Sequence, residues 1–166
     1  MLVAIISDTH DNIPNIENFL SWAKENKIET IIHCGDIAAP SMIIELFGPA
    51  GIPLHCVFGN VADREILPQA CEKFSNTKCY GDEGEIAVNK LKIAFCHFPE
   101  TAKELGGSGK YNFVFYGHTH KPWMETLENG CQLINPGTLG GVFQKATFAV
   151  YDTQTKKLEL KILELL

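Results

Sequence analysis

Four short segments carry side chains able to hold metal ions: Ser7-Asp8-Thr9-His10, Gly35-Asp36, Gly59-Asn60 and Gly117-His118-Thr119-His120. His97 is a fifth, isolated donor. Each follows an apolar run that reads as a strand, so each falls just past a strand's carboxyl end, where open α/β sheets place their ligands. Asp8 and His10 stand two apart in a turn and can face one point; His118 and His120 repeat that spacing. Together Asp8, His10, Asp36, Asn60, His97, His118 and His120 offer imidazole nitrogens, carboxylates and an amide oxygen, with no thiolate. One small divalent ion seldom needs so many protein donors, whereas two ions sharing a carboxylate would use them all. The donor types suit first-row ions better than a cysteine-rich structural zinc site. Two divalent ions per chain are expected, Mn²⁺ first, with Ni²⁺, Co²⁺, Fe²⁺ or Zn²⁺ as alternatives. Such a pair generates hydroxide near neutral pH and polarises a bound substrate oxygen.

Taken singly, these signals are weak. An Asp after a strand is often a turn former, Asn60 after Gly59 reads as a turn, and His97 alone reads as a core histidine. The ordered set carries the reading. The order D-x-H, G-D, G-N, H, G-H-x-H, running from Asp8 to His120, resembles the calcineurin-like metallophosphoesterases, in particular their small bacterial and archaeal phosphodiesterase branch. Asn135-Pro136-Gly137-Thr138 is similar to the Asn-Pro-Gly-Ser segment common in that branch.

The resemblance implies an α/β fold of two mixed β-sheets packed face to face with flanking helices, a four-layer αββα sandwich. It implies that Asp8, His10 and His120 hold one metal, that Asn60, His97 and His118 hold the other, and that Asp36 bridges both. A hydroxide between the ions would attack phosphorus in line with the leaving oxygen, which places Asp8, Asp36, Asn60 and His97 in the catalytic set. Asn12, Asp63 and Arg64 are the expected substrate-binding residues. Two departures stand out. Val61 occupies the place where many members carry a His able to protonate the leaving group, a service worth about 10²–10⁴-fold, so good leaving groups should be favoured. Phe98-Pro99 follows His97 where a Gly is more usual. The expected activity is metal-dependent hydrolysis of a small phosphodiester. The alternatives are a phosphomonoesterase, a nuclease acting on short substrates, or a non-catalytic scaffold like the retromer subunit that resembles this branch but has lost metal ligands.

The elements that must position these donors are legible as apolar runs and caps. Leu2–Ile6, Thr30–Cys34 and Pro53–Phe58 read as strands buried on both faces. Pro14 opens a helix to about Lys24 with Ile16, Phe19, Leu20 and Ala23 on one face. Ser41 reads as the N-cap of a second helix that Gly48-Pro49 ends, and a third lies near Asp63–Phe74. Glu85–Val88 and Lys90–Cys96 form a hairpin at Asn89. A short helix at Glu100–Leu105 and a Gly106–Gly109 loop near the site mouth lead to strand Phe113–Tyr116. Trp123–Leu127 and Cys131–Ile134 flank Asn129-Gly130, a strong hairpin signal, and Thr147–Tyr151 with Leu158–Leu163 make a last antiparallel pair. A βαβαβ half followed by a strand-rich half predicts two packed sheets in one domain, residues 1–166.

Composition narrows the partners. The net charge is −6 and no dense Lys/Arg cluster appears, which disfavours long duplex nucleic acid, because that binding is driven by phosphate neutralisation. The six cysteines are scattered singly and several sit in apolar strands, the pattern of reduced thiols in a cytoplasmic protein. No apolar run approaches a membrane span of about 18 residues, and Met1 leads directly into a strand rather than a signal peptide. A homo-oligomer is open on this reading. His33 and His55 sit within or beside apolar strands and are expected to be structural.

Overall fold

The computed structural model describes all 166 residues. Its eleven strands form two sheets. The first is six-stranded, ordered β11-β10-β1-β2-β3-β4. It comprises β1 (Leu2–Ile6), β2 (Thr30–His33), β3 (Leu54–Cys56), β4 (Thr77–Cys79), β10 (Thr147–Asp152) and β11 (Lys157–Ile162). The second, ordered β5-β6-β7-β9-β8, comprises β5 (Glu83–Val88), β6 (Leu91–Cys96), β7 (Phe113–Phe115), β8 (Trp123–Thr126) and β9 (Gln132–Asn135). Strands β1 to β4 pair in parallel, as do β6, β7 and β9; the outer strands β10, β11, β5 and β8 pair antiparallel.

Period-two alternation explains the layering. Val3 and Ile5 of β1 face the second sheet and pack with Ile93, Phe95, Phe113, Phe115 and Ile134. Ala4 and Ile6 point the other way, onto Ile16, Phe19 and Leu20 of α1 (Ile13–Glu25) and onto the helices that follow β2 and β3. The outer face of the second sheet, through Ala94, Val114 and Leu133, packs on Ala102 of α4 (Pro99–Gly107). Helix, sheet, sheet, helix is the expected αββα order. It explains why β1 and β2 read as unbroken apolar runs, since both of their faces are buried. No helix is long and apolar enough to cross a membrane.

The structure corrects several expectations. Ser41 makes no capping bond, and Gly48-Pro49 does not end the second helix. A π-helical stretch, Ile43–Phe47, runs straight into α2 (Gly48–Ala50), and the chain turns only at Gly51, whose φ is +76°. Proline lacks an N–H and its ring collides with the carbonyl four residues back. The wider winding, in which Gly48 N–H reaches Ile43 O, accommodates Pro49 within the helix. The helix after β3 is shorter than expected, α3 (Ile66–Cys71). Strand β4 carries no sequence signal, because its three residues show no apolar run. Gly106–Gly109 is not at the site mouth. Gly106 and Gly107 belong to α4, and Gly106 O accepts from Asn129 Nδ2 in the β8–β9 turn. That turn is at the opposite end of β9 from Asn135, which contacts the Gly117 loop.

Candidate metal centre

The parallel topology sends β1, β2 and β3 of one sheet and β6 and β7 of the other toward a common end. Asp8 and His10 follow β1, Asp36 follows β2, Asn60 follows β3, His97 ends β6, and His118 and His120 follow β7. All seven expected donors meet there. His120 Nε2 lies 3.3 Å from Asp8 Oδ1 and 3.0 Å from His10 Nε2. Asn60 Oδ1 lies 3.1 Å from both His97 Nε2 and His118 Nδ1. Asp36 Oδ2 sits between the two groups, 3.7 Å from His10 Nε2 and 3.6 Å from His97 Nε2. Two triads, Asp8 with His10 and His120, and Asp8 with Asp36 and His97, have donor atoms within 4.8 Å of one another.

The chemistry of this donor set fits cations. His97 Nδ1 donates to Cys34 O at 2.9 Å and His120 Nδ1 donates to Val142 O at 3.1 Å. A carbonyl can only accept, so in each neutral ring the hydrogen is on Nδ1 and Nε2 presents a lone pair. Those lone pairs face carboxylate and amide oxygens at 3.1–3.6 Å. Acceptor against acceptor is repulsive without a positive charge between. A backbone carbonyl behind a metal-bound imidazole is also the usual outer partner of such ligands.

Burial sharpens the point. Asp8 is fully buried, and loss of hydration pushes its carboxyl up to about 6 despite the bond from Ser7 and the nearby His120. A shift of that size corresponds to roughly 3 kcal/mol against the ionised form, which a bound divalent ion would offset. Burial lowers His10 and His97, which favours their neutral imidazole forms. The sign of the pH effect follows. Asp8's folded pKa is raised, so its proton stabilises the metal-free fold in acid, and that contribution fades as pH rises through about 6. Cation binding must displace this proton, so apparent Mn²⁺ affinity is expected to fall about tenfold per pH unit below 6 and to level off above it. Equilibrium dialysis from pH 5 to 8 reads this out; affinity independent of pH across 5 to 6 would contradict it.

The backbone at these positions is unusual. Asp8, His10, Asp36, His118 and His120 all have positive φ, between 42° and 69°. Left-handed backbone at non-glycine residues costs of order 1–3 kcal/mol each. Burial of each large core side chain returns about 1.5–3 kcal/mol, and Phe19, Phe47, Phe95, Phe115 and Phe148 are all fully buried. The turns are then pinned by hydrogen bonds. Asp8 N–H donates to Gly35 O and His10 N–H to Asp36 O. Asp8 O accepts from Thr138 Oγ1 at 2.8 Å and from Gly140 N–H. Asp11 accepts from the amides of Ala38 and Ala39, fixing the loop after Asp36. Asn135 Nδ2 donates to Gly117 O at 2.7 Å and to Thr119 Oγ1. The Asn135–Thr138 segment therefore clamps the turns that hold Asp8 and His118. Its likeness to the family's tail was the only sign of that role in the sequence; Ser7, Thr9 and Asp11 gave none.

Outside the seven donors the expectations divide. His33 is structural: Nδ1 accepts from Gly35 N–H, Nε2 meets Thr9 Oγ1, and Thr9 Oγ1 donates on to Asp36 O. Full burial lowers it to about 3. His55 pairs with Tyr80. The three residues expected to meet substrate have their polar groups engaged in other contacts. Asn12 caps α1 by accepting from Asn15 N–H and donates to Gly140 O. Asp63 accepts from the amides of Glu65 and Ile66 at the start of α3. Arg64 makes a two-pronged, exposed pair with Asp82 and lies over the Phe58 ring.

Buried carboxylates and imidazoles gathered where the parallel strands of two mixed sheets end form a candidate metal centre. The chain belongs to the calcineurin-like phosphoesterase superfamily, whose domain model matches residues 1–156. It is similar to a phosphodiesterase of Methanocaldococcus jannaschii, 29% identical over 99% of this chain and 100% of that protein. It also resembles a probable metallophosphoesterase of Methanothermobacter thermautotrophicus, 29% identical over 83% of this chain and 77% of the relative. A solved archaeal phosphodiesterase superposes with a TM-score of 0.89 at 28% identity, covering 98% of this chain and 99% of its own. A zinc-complexed Vps29 of Entamoeba histolytica, at 16% identity and a TM-score of 0.70 over 98% of this chain and 99% of its own, shares the fold. The chain is thus a metal-dependent phosphoesterase.

Proposed function

We propose that this chain hydrolyses small phosphodiesters at a binuclear centre. In it Asp8, His10 and His120 hold one divalent ion, Asn60, His97 and His118 hold the other, and Asp36 bridges. The observation that carries this reading is the position of Asp36 Oδ2, nearly equidistant from His10 Nε2 of one donor group and His97 Nε2 of the other. Mn²⁺ suits this mixed oxygen and imidazole set, with Ni²⁺, Co²⁺, Fe²⁺ and Zn²⁺ next. When bound, the ions would supply an activated hydroxide and neutralise charge on the phosphoryl oxygens.

The chain's own residues do the rest. His97 and His120 are locked in one tautomer by the carbonyls behind them, so their lone pairs stay aimed at the centre. Val61 N–H donates to Asp36 Oδ1 at 3.2 Å, leaving Oδ2 directed between the donor groups. Val61 itself is half-exposed and has no proton to give, so the leaving oxygen departs without help from that position. The similarity to proteins named phosphodiesterases supports a diester substrate.

Bis(p-nitrophenyl) phosphate is expected to be turned over with Mn²⁺ and to outpace p-nitrophenyl phosphate in kcat/KM. Alkyl esters should lag by about 10²-fold or more for want of a general acid. EDTA should abolish turnover and Mn²⁺ restore it. A folded preparation that prefers the monoester, or whose activity survives complete metal removal, would refute this reading.

A further inference from the structure

Three thiols converge on the helix-covered face of the six-stranded sheet. Cys56 of β3 and Cys79 of β4 are register partners in a parallel pair, so their side chains leave the same face with Cα atoms about 4.8 Å apart. That separation lies within the range a disulfide spans, roughly 4.4–6.8 Å. Cys71, the last residue of α3, places its Sγ 3.8 Å from Cys56 Sγ. Cys56 and Cys71 are buried in the apolar cluster beneath α3, and Cys79 lies at its edge, half-buried and open on one side.

The environment divides the roles. The neighbouring Cys56 thiol, and after it the Gly81 amide, favour the Cys79 thiolate against its partial burial and bring it to about 7. Cys71 first, then Cys79 and burial, raise Cys56, which keeps its thiol protonated. Cys79 is therefore the more acidic and less buried member, and Cys56 its register partner on the next strand. The other thiols differ: burial pushes Cys96 up to about 12 and also raises Cys34 and Cys131.

We propose that Cys79 and Cys56 form a peroxide-reactive thiol pair, in which a hydroperoxide oxidises Cys79 and Cys56 closes the disulfide. In the first step the Cys79 thiolate attacks one peroxide oxygen. The O–O bond breaks, an S–O bond forms, and the departing alkoxide or hydroxide takes a proton from water, leaving Cys79 as sulfenic acid. In the second step the Cys56 sulfur attacks the Cys79 sulfur. The S–O bond breaks, and hydroxide leaves with the Cys56 proton as water. The two thiols lose two electrons and the peroxide gains two. Cys71 can then attack Cys56, passing the disulfide to the Cys56–Cys71 pair and releasing the Cys79 thiolate.

The test uses the full, reduced, metal-loaded chain with equimolar hydrogen peroxide at neutral pH, followed by alkylation, proteolysis and mass spectrometry. Peptides joined through Cys56 to Cys79 or to Cys71 are expected, with a loss of two free thiols. Cys79→Ser should slow thiol loss about tenfold or more, in keeping with its larger thiolate fraction, while Cys131→Ser should not change it. In Cys56→Ser, Cys79 should persist as a sulfenic acid trapped by dimedone. Independently of any variant, limiting iodoacetamide should label Cys79 first in the reduced protein. Oxidation without a Cys56 linkage, wild-type thiol loss in Cys79→Ser, or first labelling at another cysteine would each overturn the proposal.

Discussion

Replacing Asp36 by Asn is expected to lower phosphoester turnover by more than about 10³-fold while leaving the fold in place. A single lost transition-state hydrogen bond costs about 10²–10³-fold, and Asp36 has more to lose. Its Oδ2 approaches one imidazole from each donor group. Asn keeps the size and an oxygen able to accept from Val61 N–H, so the loop after β2 should survive. What it removes is the negative charge. Two cations a few ångströms apart repel, and a shared carboxylate is the group that offsets this. The variant should therefore bind fewer than two Mn²⁺ per chain by elemental analysis, with an unchanged circular dichroism spectrum. Asn60→Ala should also lose metal but retain more activity, because only one donor group is touched. Turnover in Asp36→Asn within about tenfold of wild type would show that Asp36 does not join the two groups.

The donor set was legible because its residue types are rare together and each falls at a strand end, where chain topology rather than local propensity fixes the geometry. The parallel strands were legible for a related reason, since burial on both faces writes an apolar run into the sequence. What was not legible depends on partners far along the chain. Thr138 reaches Asp8 O across 130 residues and Asn15 reaches Leu139 O across 124, and no local pattern announces such bonds. Asn12 and Asp63 are the converse case. Both were expected to meet substrate, yet both have the chemistry of helix caps and are engaged as caps here. Proline usually ends a helix, but the widened turn before Pro49 removes the clash. Strand β4 escaped notice because three residues joined to one edge of a sheet need no periodicity to pair.

Gly59→Ala is the second large effect expected, and it separates positioning from stability. A Cβ at Gly59 would overlap Asp36 Oδ1 and come within 2.5 Å of Asp36 N and 2.7 Å of its Cγ. Two of the three nearest atoms belong to the Asp36 carboxylate, and the third is backbone that cannot swing aside. Asp36 must therefore move. Forcing a methyl into packed structure costs about 1–3 kcal/mol, more than the roughly 0.4–1 kcal/mol gained by removing a glycine's freedom from the unfolded chain. The net loss should lower Tm by a few degrees, at roughly 2–4 °C per kcal/mol for a chain of this size. Activity should fall much further, about 10²-fold, the scale expected when a reacting group is displaced by about 1 Å. Gly48→Ala is the control. Its Cβ would collide with the Phe74 ring, with contacts at 2.5–2.6 Å, so it should destabilise to a similar degree without touching any metal donor. If calorimetry and turnover fall in proportion for both variants, Gly59 serves only packing. If Gly59→Ala loses activity out of proportion to its Tm while Gly48→Ala does not, the narrow space over Asp36 is what keeps its carboxylate in register.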